Sequence, residues 1–190
     1  MKRISSIVFI VCVFVLTSCK ETTKNETVTK VEPTEVNGKG QSAVVDEDSD
    51  PNALQVAMSL DDFKTLVVAI KAGGVEDALV NTGPLTVFAP VNSAFDKLPE
   101  GTVANLLKPE NKSQLAYILK NHVAPANFPI KTLEKNVRKN RKLYMASGKY
   151  LEVTQKGKDI YVGGTKILKS VKVSNGWVHV IGDILVPSED

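Results

Sequence analysis

Residues that could carry nucleophilic or acid–base chemistry are few in this sequence of 190 residues. It contains two histidines, His122 and His179, and two cysteines, both within the first 19 residues. Ser93, His122 and Asp183 are residue types that could form a serine-hydrolase site, but no nucleophile-elbow motif places the serine. The sequence also has no phosphate-binding loop and no paired metal-ligand motif. We therefore predict a protein that is not an enzyme and that needs neither a cofactor nor a metal ion.

The first histidine lies on an apolar helix face. In the helix predicted over residues 111–123, His122 shares one face with Leu115, Ile118 and Leu119. We interpret it as a core histidine whose ring nitrogens bond to backbone groups, in preference to a catalytic base or a ligand.

The chain around Phe88 predicts a buried strand that turns directly into a short helix. Thr86 and Phe88 belong to a β-branched and aromatic run, and Pro90 ends it because proline has no N–H to donate. The side-chain oxygen of Asn92 is expected to cap the following helix, which returns Phe95 to the core. We predict that these residues are structural.

The last third of the chain predicts strands. Beyond residue 142, apolar residues alternate with polar ones between glycine-containing turns. Asn175–Gly176 is the clearest hairpin signal. Helices followed by strands predict one α+β domain over residues 52–188.

Trp177 follows the predicted hairpin turn. It shares one face of its strand with His179 and Ile181, because side chains alternate along a strand. The indole either fills the core or, if exposed, forms a binding anchor, since aromatic side chains dominate interface hot spots.

One segment concentrates positive charge. We expect a solvated loop there, although it could also face an acidic glycan or phospholipid headgroups. The segment contains one acidic residue, Glu134. Its basic residues are Lys131, Lys135, Arg138, Lys139, Arg141 and Lys142.

The N-terminus has the pattern of a secretory signal peptide over residues 1–18. Lys2 and Arg3 precede the apolar run Ile7–Leu16, which is shorter than the roughly 20 residues needed to span a bilayer. The sequence Leu16-Thr17-Ser18-Cys19 resembles a bacterial lipobox. By that resemblance Cys19 becomes the lipid-modified first residue, and the protein contacts the membrane through this lipid.

Residues 19–51 predict a disordered tether, because they are polar, charged and without apolar periodicity. The sequence has 24 basic and 21 acidic residues, and cleavage of the signal peptide would remove the basic residues Lys2 and Arg3. The mature chain would then be nearly neutral, so we expect no nucleic-acid partner. We expect a location in the cell envelope, on the outer membrane, on its periplasmic or surface face.

Three sequence blocks follow one another in this order: Thr86–Phe95, Leu115–Val123 and Asn175–Ile181, closing on Ile184–Pro187. Together they resemble the fasciclin domain family, and the resemblance covers about 135 residues, from Asn52 to Pro187. It implies an α+β fold, a β-wedge or sandwich flanked by several short helices. It also implies an extracellular adhesion module without a cofactor, and many bacterial members are lipid-anchored single domains.

The sequence departs from the family pattern in three places. Ser170-Val171 stands where animal domains have an Asp-Ile motif before the Asn-Gly turn. Asn121 stands before His122 where the family often has a tyrosine, and that Tyr-His pair is implicated in integrin binding by animal members. Integrin recognition is therefore not expected here. Trp177 stands where valine or isoleucine is usual. We expect a monomeric, lipid-anchored adhesion module that recognises a protein or polysaccharide. The alternative is a periplasmic structural or envelope-maintenance lipoprotein without an adhesive role.

Overall fold

The computed structural model describes residues 50–80 and 83–187. No helix in these ranges is long and apolar enough to cross a membrane. The helices are α1 (Ala53–Ser59), α2 (Lys64–Gly73), α3 (Glu76–Val80), α4 (Asn92–Phe95), α5 (Thr102–Leu106), α6 (Lys112–Lys120) and α7 (Ile130–Arg138). The strands are β1 (Leu85–Pro90), β2 (Val123–Ala124), β3 (Leu143–Tyr144), β4 (Tyr150–Leu151), β5 (Val153–Lys156), β6 (Asp159–Val162), β7 (Thr165–Val173) and β8 (Gly176–Ile181).

Six of these strands form one mixed sheet in the order β2-β1-β8-β7-β6-β5. Strands β3 and β4 pair separately. Strands β1 and β8 are parallel, from Leu85 opposite Gly176 to Pro90 opposite Ile181, whereas β2 and β7 on either side of them are antiparallel to this pair. Together with the surrounding helices, this sheet confirms the predicted α+β class.

The sheet separates two apolar clusters. Helices α1, α2, α3 and α6 pack on one side, where Leu66 and Val178 are buried. The other side buries Phe88, Leu133 and Ile181. Strand β1 contributes to both clusters because successive side chains point to opposite faces, and all of its residues are buried. The predicted buried strand around Phe88, ending at Pro90, is therefore confirmed.

Gly176 lies where β8 approaches β1 most closely. Its φ is 148°, and a Cβ there would overlap the carbonyl oxygen of Leu85. Glycine is required because it alone lacks this atom. The predicted hairpin is confirmed, since Val173 of β7 pairs with Gly176 of β8.

The prediction that Asn92 caps its own helix is wrong. Asn92 is the first residue of α4, and the N-cap Val91 makes no side-chain bond. Instead Asn92 Oδ1 accepts the N–H of Thr65 at 3.0 Å, and Asn92 Nδ2 donates to the carbonyl of Asp61 at 2.8 Å. The asparagine thus caps the first turn of α2 from across the fold.

The prediction of a solvated loop over Lys131–Lys142 is also wrong for the first part of that segment. Residues Ile130–Arg138 form α7, which buries Leu133 and Asn136. Its apolar residues recur with a helical period, and Pro129 stands immediately before the first turn. The predictions for residues 1–49, including the lipid on Cys19, lie outside the described residues.

Candidate functional site

His122 is a core histidine, as predicted. Its side chain is buried, its Nδ1–H donates to the carbonyl of Ile118 at 2.8 Å, and its Nε2 accepts the N–H of Leu185 at 2.9 Å. Burial lowers the pKa of His122 to about 4, against the opposing effect of the Ile118 carbonyl. Both ring nitrogens are occupied by backbone groups, so the ring offers neither a base nor a metal ligand.

Asn121 completes a clamp on the C-terminal segment. Its Nδ2 donates to the carbonyl of Leu185 at 2.9 Å, and its Oδ1 accepts the hydroxyl of Ser147 at 2.8 Å. Asn121 and His122 therefore satisfy both backbone groups of Leu185. The residue that replaces the family's tyrosine has a buried structural role in this chain.

The hydrolase triad considered from the sequence does not form. Asp183 is held by Lys97 Nζ at 2.6 Å and by the hydroxyl of Thr165 at 2.9 Å. These hydrogen bonds, that of Lys97 first, lower the pKa of Asp183. Ser93 is exposed at the surface, while the ring nitrogens of His122 are bonded to backbone groups.

Trp177 is neither a core residue nor a fully exposed one. It is half-buried, and its ring stacks on His179 with centroids 6.3 Å apart and planes 13° apart. His179 is itself fully buried, and both of its ring nitrogens are satisfied. Nε2–H donates to the carbonyl of Phe128, and Nδ1 accepts the hydroxyl of Ser170. Burial lowers the pKa of His179, against the effect of the Phe128 carbonyl. One face of the indole therefore rests on a rigid, neutral support.

Trp177 also lines a shallow, open groove of about 310 Å³. Exposed polar side chains surround it, notably the Asn127 amide and the Lys172 ammonium. We call this feature the Trp177 groove; its lining residues are Pro84, Asn127 and Lys172–Trp177.

Thr86 fixes one wall of the Trp177 groove. Its hydroxyl donates to the carbonyl of Ala126 at 2.8 Å and accepts the N–H of Phe128 at 3.0 Å. These bonds hold Asn127 beside β8, where Trp177 lies opposite Thr86 in the parallel register. The predicted structural role of Thr86 is thus to place the wall that carries Asn127.

All six candidate basic residues are exposed. Lys131, Lys135 and Arg138 recur at helical spacing along α7, opposite its buried residue Leu133. Among the six, the ion pair that the described residues show is that of Lys142 with Glu152, at 3.1 Å. A row of unpaired cations on one helix face is suited to an anionic surface.

Sequence reasoning missed Asn127, Lys172 and an exposed tyrosine pair. Asn127 and Trp177 lie far apart along the chain, so no local pattern connects them. Tyr144 and Tyr150 pair across β3 and β4, with ring centroids 5.3 Å apart. The alternation of these short strands could have shown that both tyrosines face outward.

Comparison with known proteins identifies the family. The Fasciclin domain profile matches residues 61–187. Protein sll1483 of Synechocystis sp. is 38% identical over 151 residues, covering 77% of this chain and 81% of that protein. Transforming growth factor-beta-induced protein ig-h3 of Sus scrofa is 31% identical over 138 residues, covering 72% of this chain but 19% of that protein.

Solved structures show the same fold. A FAS1 domain pair from the insect cell adhesion molecule Fasciclin I superposes with a TM-score of 0.50 at 21% identity, over 64% of this chain and 44% of that one. The profile match spans the helices from α2 onward, the parallel β1–β8 pair and the C-terminal segment clamped by His122. The chain therefore belongs to the fasciclin domain family.

Proposed function

We propose that this protein is a binding module of the cell envelope that recognises a protein or polysaccharide partner through the Trp177 groove. The family's fold is a non-catalytic adhesion fold, and Fasciclin I is a cell adhesion molecule. Relatives of this kind support an adhesive role and supply no reaction for the chain to catalyse.

The observation that carries the proposal is the placement of Trp177. It is the single tryptophan of the sequence, and it lies half-exposed at the side of a polar groove. Its ring stacks on the buried His179, and a partly exposed indole held in this way can anchor a partner side chain or stack on a sugar ring.

The exposed cations provide a second contact. Asn127 lies four residues before Lys131, so the wall of the Trp177 groove leads directly into α7. An anionic partner held at the groove would gain favourable long-range attraction from the basic residues. That contribution weakens as salt is added, because exposed charges are screened beyond about 10 Å at 0.1 M salt.

Lipid anchoring through Cys19 is the second part of the proposal, supported by the lipobox-like sequence before that residue. Two or more acyl chains would hold the module stably at a membrane. Changing Cys19→Ala should abolish labelling by a fatty-acid analogue; unchanged labelling would refute the anchor. Protease treatment of intact cells tests the location, because digestion of the domain requires the outer face.

An array of glycans and extracellular matrix proteins, probed with the full-length protein, tests partner binding. Trp177→Ala should weaken each hit at least tenfold. Charge reversal at Lys131, Lys135 and Arg138 should weaken anionic hits more at low salt than at high salt. The matched control reverses three other exposed lysines, namely Lys71, Lys112 and Lys120.

Binding that both altered surfaces retain would contradict the proposed site. Loss of binding in the control as well as in the α7 variant would show a general effect of net charge. Either result would remove the argument for a specific role of α7.

A further inference from the structure

A second feature lies away from the Trp177 groove, at the opposite end of strands β1 and β8. It is a cavity of about 220 Å³ enclosed between α2, α4, α5, α6 and the C-terminal segment. Its floor consists of buried residues, including Ala69, Pro90, Leu115 and Leu119. We call it the apolar cavity, because nearly all the side chains that line it are hydrocarbon.

We propose that the apolar cavity binds a small apolar molecule, or the end of an alkyl chain, of about seven or eight carbon atoms. This ligand would be separate from the partner recognised at the Trp177 groove. The proposal stands on the lining, the covering helix and the volume of the cavity.

The polar groups at the apolar cavity are already satisfied or lie at its rim. Both ring nitrogens of His122, which lines the cavity, are bonded to backbone groups. Thr102 is half-buried and Gln114 is exposed. The interior thus offers a ligand no free hydrogen-bonding group, so the part of the ligand inside must be hydrocarbon.

Helix α5 covers the apolar cavity and packs only partly against the core. None of its residues is buried, although Leu106 packs against the cluster that contains Leu115. Val103 and Leu106 also line the cavity. By contrast, α6 buries Leu115 and Leu119 against the same space. The side of α5 that lines the cavity would gain free energy from any hydrocarbon placed beneath it.

The volume selects the size of the ligand. Water occupies about 30 Å³ per molecule, so the cavity has room for about seven waters, but each needs two to four polar partners that this lining does not supply. An apolar cavity of roughly 150 Å³ is already large enough to bind benzene. A partner helix is too large to enter a cavity of about 220 Å³, because a helix with its side chains is about 10 Å wide.

The entrance lies where the lining is exposed. Gln114 is exposed, and Val186 retains 59% of its accessible surface. A polar head group would remain in solvent beside these two residues while the alkyl chain enters. A straight-chain alcohol has this form and serves as the probe.

The test titrates the full-length protein with 1-alkanols from butanol to dodecanol and follows methyl resonances by NMR. Methyls of Leu106, Leu115 and Ile184 should shift saturably, while that of Val162, in the cluster on the other face of the sheet, should not. Affinity should rise about fourfold for each added methylene. It should stop rising at about seven or eight carbons, where the volume is filled.

Two variants test the location. Val103→Phe fills the cavity and should reduce the affinity for octanol at least tenfold. Ala104→Phe places the same ring on the exposed side of α5 and should leave it unchanged. Because neither change adds a tryptophan, Trp177 emission remains a single reporter of folding. If Val103→Phe does not fold, Ile184→Phe fills the cavity from the C-terminal segment.

The proposal is overturned if the shifts do not saturate, if Val162 shifts equally, or if Val103→Phe binds octanol as well as Ala104→Phe does. Shifts that depend on protein concentration instead of alcohol would indicate a second copy at this site and would also overturn it. Trp177→Ala should leave octanol binding unchanged. A failure of the apolar-cavity proposal can therefore be distinguished from a failure of the proposed function at the Trp177 groove.

Discussion

The two ends of the parallel strand pair β1–β8 differ in chemistry although they are parts of the same strands. At the end where Leu85 meets Gly176, the polar Trp177 groove is open to solvent. At the end where Pro90 meets Ile181, the strands lead to the apolar cavity beneath α5. Each end takes its character from the segments that leave the sheet there.

Those segments show why one end is polar and the other apolar. At the Trp177 end, the hydroxyl of Thr86 holds the polar segment around Asn127 beside the sheet. At the cavity end, short apolar helices and the clamped C-terminal segment cover the strands. The buried middle of the sheet thus separates two surfaces of different chemistry.

The largest loss of stability is expected from a substitution in the middle of β1, between the two ends. Phe88 is fully buried and stacks on His179 at 5.5 Å, so Phe88→Ala should lower the free energy of unfolding by about 3–5 kcal/mol. Phe95 packs against the core cluster that contains Leu66, as predicted, but it is only partly buried and also lines the apolar cavity. Phe95→Ala should therefore cost only about 1–2 kcal/mol. Equal losses in urea unfolding would show that the cavity end is packed as tightly as the middle.

The clamp at the cavity end should make stability depend on pH. The pKa of His122 falls from 6.5 in the unfolded chain to about 4 in the folded protein. Between these values the unfolded chain binds the extra proton, so stability falls as pH decreases and levels off below about 4. The loss attributable to His122 is about 3 kcal/mol.

Urea unfolding from pH 7 to pH 4 measures this loss. His122→Gln removes the titrating group and should flatten the profile, whatever its stability at pH 7. His179→Gln, next to the Trp177 groove, should flatten it in the same direction because the pKa of His179 is also lowered. An unchanged slope in His122→Gln would contradict the neutral clamp.

Replacing Asn121 should lower local stability at the cavity end and not at the Trp177 groove. Asn121→Ala leaves the carbonyl of Leu185 without its partner, and losing this buried bond should cost about 1–3 kcal/mol. Amide exchange at Leu185 should accelerate, while that at Val178 near the Trp177 groove should not. Ser147→Ala is the matched control with a smaller expected loss, because it keeps the bond of Asn121 to Leu185 and removes its bond to the Ser147 hydroxyl, together with the longer bond from the N–H of Lys149.

The smallest effect is expected at an exposed ion pair near the cavity end. Lys97 and Asp183 are joined at 2.6 Å, but both side chains are more than half exposed. Lys97→Met should therefore cost less than about 1 kcal/mol. It should raise the pKa of Asp183 toward its ordinary value, because Lys97 is the first cause of its depression. That depressed pKa adds stability that is lost as pH falls through it, and carboxyl NMR titration measures the change.

The sequence predicted what depends on local pattern. The burial of β1, the hairpin at Gly176 and the bonded ring of His122 each follow from residue types within a short window. The helix α1 also had a local signal, since Asn52 and Gln55 form a capping box.

What the sequence did not predict depends on distant contacts. The Asn92 side chain caps α2 rather than α4, because the fold brings Asp61 and Thr65 within its reach. Asn127 and Trp177, which are 50 residues apart in the chain, line the same groove because the Thr86 hydroxyl holds the residues on either side of Asn127. The apolar cavity has no sequence signal at all, because its lining residues have the same types and spacing as ordinary core residues.

The most direct test of the central claim is the indole N–H resonance of Trp177 during titration with a ligand identified on the glycan and matrix-protein array. We expect this resonance to shift saturably, while the Leu106 methyls at the apolar cavity remain in place. An indole resonance that stays fixed while the ligand binds would show that the Trp177 groove is not the recognition site.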